Sequence, residues 1–270
     1  MKRKWSFLTA LMVMFLLVLT ACGGNEESSG TSSSEGDDGL ELTEDGKFSY
    51  VVSGEFPPFS TVDANGDLDG FDVAVGKAIA EKLDLEPAVE KFKFSGMVSA
   101  IQSGRYDAAV ASHTITDERK EAVNFSEPYY YSGPVLYVQP GSDIQSVEDL
   151  EGKDVAVSKG STYEKSAQEY TDKISNYDSD QTALRALSEG KHDAVITDDI
   201  TGKQAMEEGF KIEKVEQLGT SEQAVAIKKE NSNLLEAVNK ALEELKEDGT
   251  LTKLSEEYIE VDITQNPESE

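Results

Sequence analysis

Short apolar runs alternate with stretches of helical spacing along most of this chain, and that alternation limits the folds open to it. Phe48-Ser49-Tyr50-Val51-Val52 reads as a first strand. Phe71, Val75, Ile79 and Leu83, with Ala78 beside them, form a helical stripe over residues 71–83. Residues 87–92 read as a second strand. Phe94-Ser95-Gly96 then leads to a helix holding Met97, Ala100 and Ile101, capped by Gly104, and residues 107–111 are a third strand. A β-α-β-α-β run implies a parallel sheet. A new series begins at Pro134-Val135-Leu136-Tyr137-Val138. Its later strands are Val155-Ala156-Val157, residues 174–177, Ala194-Val195-Ile196 and residues 212–215. Its helices are one opened by Gly160-Ser161-Thr162, then residues 182–188 and 202–208. A late strand over residues 223–227 precedes an amphipathic helix with Leu234, Leu235, Val238, Ala241, Leu242 and Leu245 on one face and Ser232 as its N-cap. The expected class is therefore α/β, with two successive lobes, a returning segment and a cleft between the lobes, where ligand sites concentrate.

Several polar stretches sit at the joints of this pattern. Ser112-His113-Thr114-Ile115-Thr116-Asp117-Glu118-Arg119 lies where a strand ends and a helix begins. In open α/β sheets that edge is where ligands bind, and the planar fork of an Arg matches a carboxylate with two parallel hydrogen bonds. Taken alone, the stretch reads first as a polar loop with an exposed Arg, and only the rest of the chain favours the ligand reading. Phe56-Pro57-Pro58-Phe59 is a rigid loop displaying two aromatics, because two prolines stop both strand and helix. Asp63-Ala64-Asn65-Gly66-Asp67-Leu68-Asp69-Gly70 invites a calcium-loop reading, but the loop would need Gly where Leu68 stands and Glu where Ala74 stands. Asn65-Gly66 reads instead as a tight hairpin turn.

The N-terminus carries an address. Lys2, Arg3 and Lys4 precede a run over residues 7–19 that is apolar except for Thr9, followed by Leu19-Thr20-Ala21-Cys22. A basic segment, a short apolar segment and small residues make a secretory signal rather than a membrane span. The only cysteine stands where cleavage would expose it, so the segment resembles a bacterial lipobox. That likeness implies a signal peptide at 1–21 and a diacylated (palmitate-type) Cys22, with two chains anchoring stably where one would be marginal. An ordinary signal peptide is the alternative. Residues 23–39 hold only Gly, Ser, Thr, Asn, Glu and Asp and cannot form a core. Residues 22–45 are expected to be a flexible tether, whose first 17 or so residues span roughly 20–25 Å. Lys and Arg number 25 against 53 Asp and Glu, a formal charge of −28 that loss of the leader makes more negative. That argues against a nucleic-acid partner, which needs a basic face, and against direct adhesion to anionic lipid. The two histidines and one cysteine offer no transition-metal set, and no cofactor is expected.

Seven of these segments, taken in order, resemble the extracytoplasmic solute-binding proteins of ABC importers, specifically the family 3 group for polar amino acids. They are Phe56-Pro57-Pro58-Phe59, Gly70-Phe71-Asp72-Val73 through Leu83, Phe94-Ser95-Gly96 and Gly104-Arg105-Tyr106-Asp107-Ala108. Thr114-Ile115-Thr116-Asp117-Glu118-Arg119, Asn124-Phe125-Ser126-Glu127-Pro128-Tyr129 and Asp193-Ala194-Val195-Ile196-Thr197-Asp198 complete the set. Ala74 departs from the family signature, which usually has an acidic residue there.

The resemblance implies a type II periplasmic-binding-protein fold. Lobe 1 would be built from residues 46–133, lobe 2 from 134–222, and residues 223–270 would return to lobe 1. A zwitterion drawn from water needs both a cation and an anion from its site. Arg119 matches the family's carboxylate clamp, Ser112 and Thr114 its hydrogen-bonding positions, and Thr162 the start of a helix across the cleft. Asp198 matches the ammonium acceptor, with an N-cap role as its alternative. Phe56 and Phe94 match residues that cover the ligand side chain, with core packing as theirs. Ser53 stands where relatives binding cationic amino acids often carry Asp, which argues against lysine or arginine as ligand. His113 either contacts the ligand or is structural, and His192 is expected at the surface. The function implied is a membrane-anchored, monomeric, extracytoplasmic binding protein that delivers a polar amino acid to ABC permease subunits and is not an enzyme. The alternatives are a cyclohexadienyl-dehydratase-like enzyme on the same fold and a ligand-presenting sensor module.

Overall fold

The computed structural model describes residues 39–267; the expected leader, Cys22 and the tether up to residue 38 lie outside the described residues. Two five-stranded mixed sheets form the molecule's two lobes. In lobe 1, β1 (Lys47–Val52) lies parallel between β4 (Glu86–Lys91) and β5 (Ala108–Thr114). The other two strands are antiparallel: β12 (Ser221–Lys228) joins β5 to β6 (Val123–Ser132), giving the order β4-β1-β5-β12-β6. A two-stranded hairpin, β2 (Thr61–Val62) with β3 (Leu68–Asp69), projects beside it.

In lobe 2 the order is β11 (Glu213–Gln217), β7 (Pro134–Val138), β10 (Ala194–Asp198), β8 (Val155–Ser158) and β9 (Ile174–Tyr177). The last three strands are parallel and β7 is antiparallel to both of its neighbours. Every residue of β8 and β10 is buried, as expected of strands covered on both faces, which read as continuous rather than alternating apolar runs.

Helices cover each sheet on two sides. On one face of the first sheet, α1 (Phe71–Lys82) sets Phe71, Val75 and Ile79 against Tyr50 and Val225. The late helices α7 (Ser232–Glu247) and α8 (Thr250–Ile259) complete that layer through Leu234, Val238, Leu242 and Leu251. On the other face α2 (Met97–Gln102) sets Met97, Ala100 and Ile101 against Val51, Ala109 and Ala226. The second sheet is covered by α4 (Thr162–Gln168) on one side and by α5 (Asp180–Ser188) and α6 (Asp199–Glu207) on the other.

Several element ends lie a few residues from the sequence reading, and three differences bear on how lobe 1 is built. The chain is docked before residue 46: Leu40 and Leu42 pack on the lobe 1 core, and the Thr43 amide donates to Asp107 Oδ1 at 2.7 Å. Two leucines at alternate positions suffice to fasten this segment. The cap of α7 is Asn231 and not Ser232; the Asn231 side chain accepts from the Leu234 amide and also donates to the Glu41 carbonyl at 2.6 Å. The long strand β6 runs through Pro128, a residue that lacks a ladder donor. It is tolerated because β6 is an edge strand and its register shifts where Pro128 meets Ala224.

The chain crosses between lobes twice, from β6 to β7 through Gly133 and from β11 to β12 through Gly219 and Thr220. The crossings touch: a Cβ on Gly133 would collide with the Gly219 carbonyl.

Candidate functional site: a polar cavity between the lobes

Lobe 1 brings to the cavity the loop after β1 (Ser53, Glu55, Phe56), then Phe94, the end of β5 (Ala111, Ser112, Thr114) and Arg119. Lobe 2 brings the end of β8 and the start of α4 (Ser158, Ser161, Thr162, Tyr163) and the turn before α5 (Asp178, Ser179, Asp180). Phe56, Phe94, Ser112, Thr114, Arg119 and Thr162 thus come together from segments far apart in sequence.

Arg119 lies on α3 (Asp117–Ala122), whose N-cap Thr116 accepts from the Arg119 amide. The guanidinium spans the lobes: Nη1 donates to the Thr114 carbonyl at 2.8 Å and Nη2 to the Gly160 carbonyl of lobe 2 at 3.1 Å. It also stands over the Phe94 ring, 5.7 Å from its centroid. Burial lowers its pKa to about 10, which leaves it charged at neutral pH. Both of these partners are neutral carbonyls, so the charge remains available for an anion.

Ser112 occupies the left-handed region at φ 56°, a conformation that costs an ordinary residue about 1–3 kcal/mol. What holds it is a buried knot beneath the cavity floor. Its amide donates to Tyr129 Oη at 2.9 Å, its Oγ donates to Asp72 Oδ2 at 2.8 Å, and Tyr129 Oη donates to Asp72 Oδ1 at 2.6 Å. Asp72 is fully buried, and burial raises its pKa to about 8 against the pull of the two hydroxyl donors.

Asp198 departs from expectation. It does not line the cavity; it ends β10 as the N-cap of α6, accepting from the Ile200 amide at 2.9 Å. Its other oxygen receives a long hydrogen bond, 3.4 Å, from Tyr163 Oη. Tyr163 itself lines the cavity, so Asp198 stands one side chain behind the wall. The acid at the wall is Asp180, 7% exposed, accepting from Thr197 Oγ1 at 2.6 Å. Burial raises both carboxylates to a pKa of about 6. Sequence reasoning passed over Asp180 and Tyr163; the Ser179-Asp180 pair at a helix start was the signal available for the former.

The other polar residues of the sequence reading settle elsewhere. His113 is 1% exposed on the opposite face of β5, stacked on Phe94 with centroids 4.6 Å apart, and supports that ring without lining the cavity. Burial and the Arg119 charge hold its pKa well below the usual histidine range, so it is neutral. His192 is not free on the surface: it bridges Asp154 at 2.8 Å and Tyr177 Oη at 2.6 Å. The Asp63 carboxylate accepts from the amides of Asn65 and Asp67, both at 2.8 Å, which makes residues 63–67 a self-bonded loop. No metal-ligating group of acids, histidines or cysteines occurs among the described residues.

The lobes meet around the cavity. Thr201 Oγ1 donates to the Pro57 carbonyl at 3.0 Å, Lys93 pairs with Asp178 at 2.5 Å, Lys165 pairs with Glu118, and the Thr114 and Thr162 hydroxyls are 3.5 Å apart. Two lobes on a double crossover, closed over a polar cavity with a free cation on one side and buried carboxylates on the other, define a binding protein for a small charged solute.

The comparisons agree. Residues 48–261 match the model of the bacterial extracellular solute-binding proteins, family 3, and the chain belongs to that family. It is 35% identical to the probable amino-acid-binding protein YxeM of Bacillus subtilis over 97% of both chains. It is 34% identical to the L-cystine-binding protein TcyJ of Escherichia coli, over 85% of this chain and 89% of that one. Among solved structures, an ancestral arginine-binding protein bound to arginine superposes with a TM-score of 0.76 at 38% identity, over 79% of this chain and 98% of that one.

Proposed function

We propose that this protein captures a polar α-amino acid between its lobes and delivers it to the permease subunits of an ABC importer. One observation carries the reading: buried charges of opposite sign line and back a single cavity without neutralising each other. Arg119 is held by carbonyls only, while Asp180 and Asp198 are held by hydroxyls and an amide. Isolated buried charges are expensive, and a zwitterion placed between them satisfies both. In this reading Arg119 takes the ligand carboxylate, and Thr114 and Thr162 donate hydroxyls to it. Ser112 presents its backbone from the left-handed position, while Phe56 and Phe94 cover the side chain. The ammonium goes to Asp198, whose long bond to Tyr163 yields to a shorter, charged one. Relatives described as binding amino acids, cystine and arginine support the ligand class.

The same reading includes a monomer anchored outside the cell through a lipidated Cys22. No helix among the described residues is long and apolar enough to cross a membrane. Replacing Cys22 with alanine should move the protein from the membrane fraction to the soluble fraction of fractionated cells.

A thermal-shift screen of the mature protein against the amino acids tests the ligand class. A ligand that binds only the folded state adds about 2.7 kcal/mol at one hundred times its Kd, so the cognate amino acid should raise the midpoint. A flat response to every amino acid overturns the reading.

A further inference from the structure

The cavity has two ends, and lobe 2 reaches each with a different element. The start of α4 faces Arg119 through the Gly160 carbonyl and the Thr162 hydroxyl. The turn before α5 faces the other wall of lobe 1, where Lys93 reaches Asp178. Ser53, Glu55 and Phe56 continue that wall. Three acids gather at this second end, and two are already neutralised: Glu55 pairs with Lys91 at 2.5 Å and Asp178 with Lys93 at 2.5 Å. The third, Asp180, is the most buried of them; the Thr197 and Ser158 hydroxyls and its own backbone amide hold it, and no cation is among these partners. Asp198, behind Tyr163 and within electrostatic reach of both Asp72 and Asp180, remains the acceptor for the group common to all amino acids.

Resting on the proposed amino-acid reading, the geometry points to Asp180 as a specificity-determining residue that receives a positively charged group at the far end of the ligand's side chain. The ligand class is then an α-amino acid with a distal ammonium, guanidinium or second amino group. Lobe 2 supplies the acid that Ser53 does not supply from lobe 1. Phe94 and Phe56 would flank the aliphatic stem, and the ring face suits a cation drawn past it.

Isothermal calorimetry with L-arginine and its neutral isostere L-citrulline tests this. The wild-type chain should bind arginine at least about tenfold tighter than citrulline, the discrimination that a buried charge-assisted hydrogen bond supports. Asp180→Asn keeps the acceptor for Thr197 but removes the charge. It should lower arginine affinity by about 30-fold and leave citrulline within about threefold. Asp180→Glu, which keeps the charge, should retain the preference for arginine. Equal weakening of both ligands by Asp180→Asn would assign the acid to the α-ammonium or to the fold and overturn the proposal. Equal affinity of the wild type for both ligands also overturns it. Tight citrulline binding in that case leaves the amino-acid reading standing, whereas a protein that binds neither of them nor any amino acid in the thermal screen loses both.

Discussion

Arg119 shows how one side chain can join the two halves of a binding protein. Its two carbonyl partners lie in different lobes, so its removal weakens closure as well as carboxylate binding. Arg119→Ala should cost about 3–5 kcal/mol of affinity for the cognate amino acid, since the remaining charges lose their counterpart in a site with little water; calorimetry showing a loss of only a few-fold would refute the clamp. The buried acids make a prediction of opposite kind. Burial raises Asp180 and Asp198 to about 6 in the folded chain, against 3.8 for the free side chain. A raised carboxyl pKa stabilises the fold fully below the unfolded value, and that contribution is lost as pH rises through the folded value. Without ligand, each acid therefore withdraws on the order of 2–3 kcal/mol between pH 4 and pH 7. Asp180→Asn should remove its share of this slope, so that chemical denaturation finds the ligand-free variant no less stable than wild type at pH 7. Residues of this kind were only half legible in the sequence. Arg119, Thr114 and Phe94 sit in local motifs whose order could be read directly. Asp198 also sits in such a motif, but whether a strand-end carboxylate faces a cavity or caps the next helix depends on Tyr163, which comes from another element.

Elements were easiest to read where one face decides the outcome. The stripe on α1 and the run in β10 follow from periodicity alone, because burial on one or both faces leaves a plain pattern. The strand β6 was not legible: Pro128 argues against a strand, and only the edge position and the register shift opposite Ala224 make room for it. Helix ends were equally hard, since capping is settled by which side chain turns back to the backbone. Asn231 does so for α7 while its amide group holds the Glu41 carbonyl. Asn231→Ala should cost about 1–2 kcal/mol, read from denaturation midpoints. Ser232→Ala should have little effect, the reverse of what the sequence suggested.

At the scale of the whole molecule, contacts between the lobes hold the closed arrangement over the cavity. Thr201 and Pro57 form such a contact without lining the cavity. Thr201→Val leaves the buried Pro57 carbonyl without its donor in the closed state, a penalty of about 1–2 kcal/mol. Ligand affinity should fall about 5- to 30-fold with no change in which amino acids bind. Titrations of the variant and the wild type against the same ligands check this, and an altered order of preference would contradict it. The paired crossings at Gly133 and Gly219 belong to the same scale. Any side chain at Gly133 pushes against the neighbouring crossing, so that variant should unsettle the lobe angle and the fold together.

Leu40, Leu42 and Thr43 at one end, and α7 and α8 at the other, are all fastened to the first sheet. In topological terms lobe 2 is a loop of chain let into lobe 1, and both described ends leave from the same rigid body. A pull transmitted through the N-terminal end therefore acts on lobe 1 alone and does no work on the angle between the lobes. A chain held by that end would keep lobe 1 as its frame, so the strength of the hold and the ease of closing could change independently of each other.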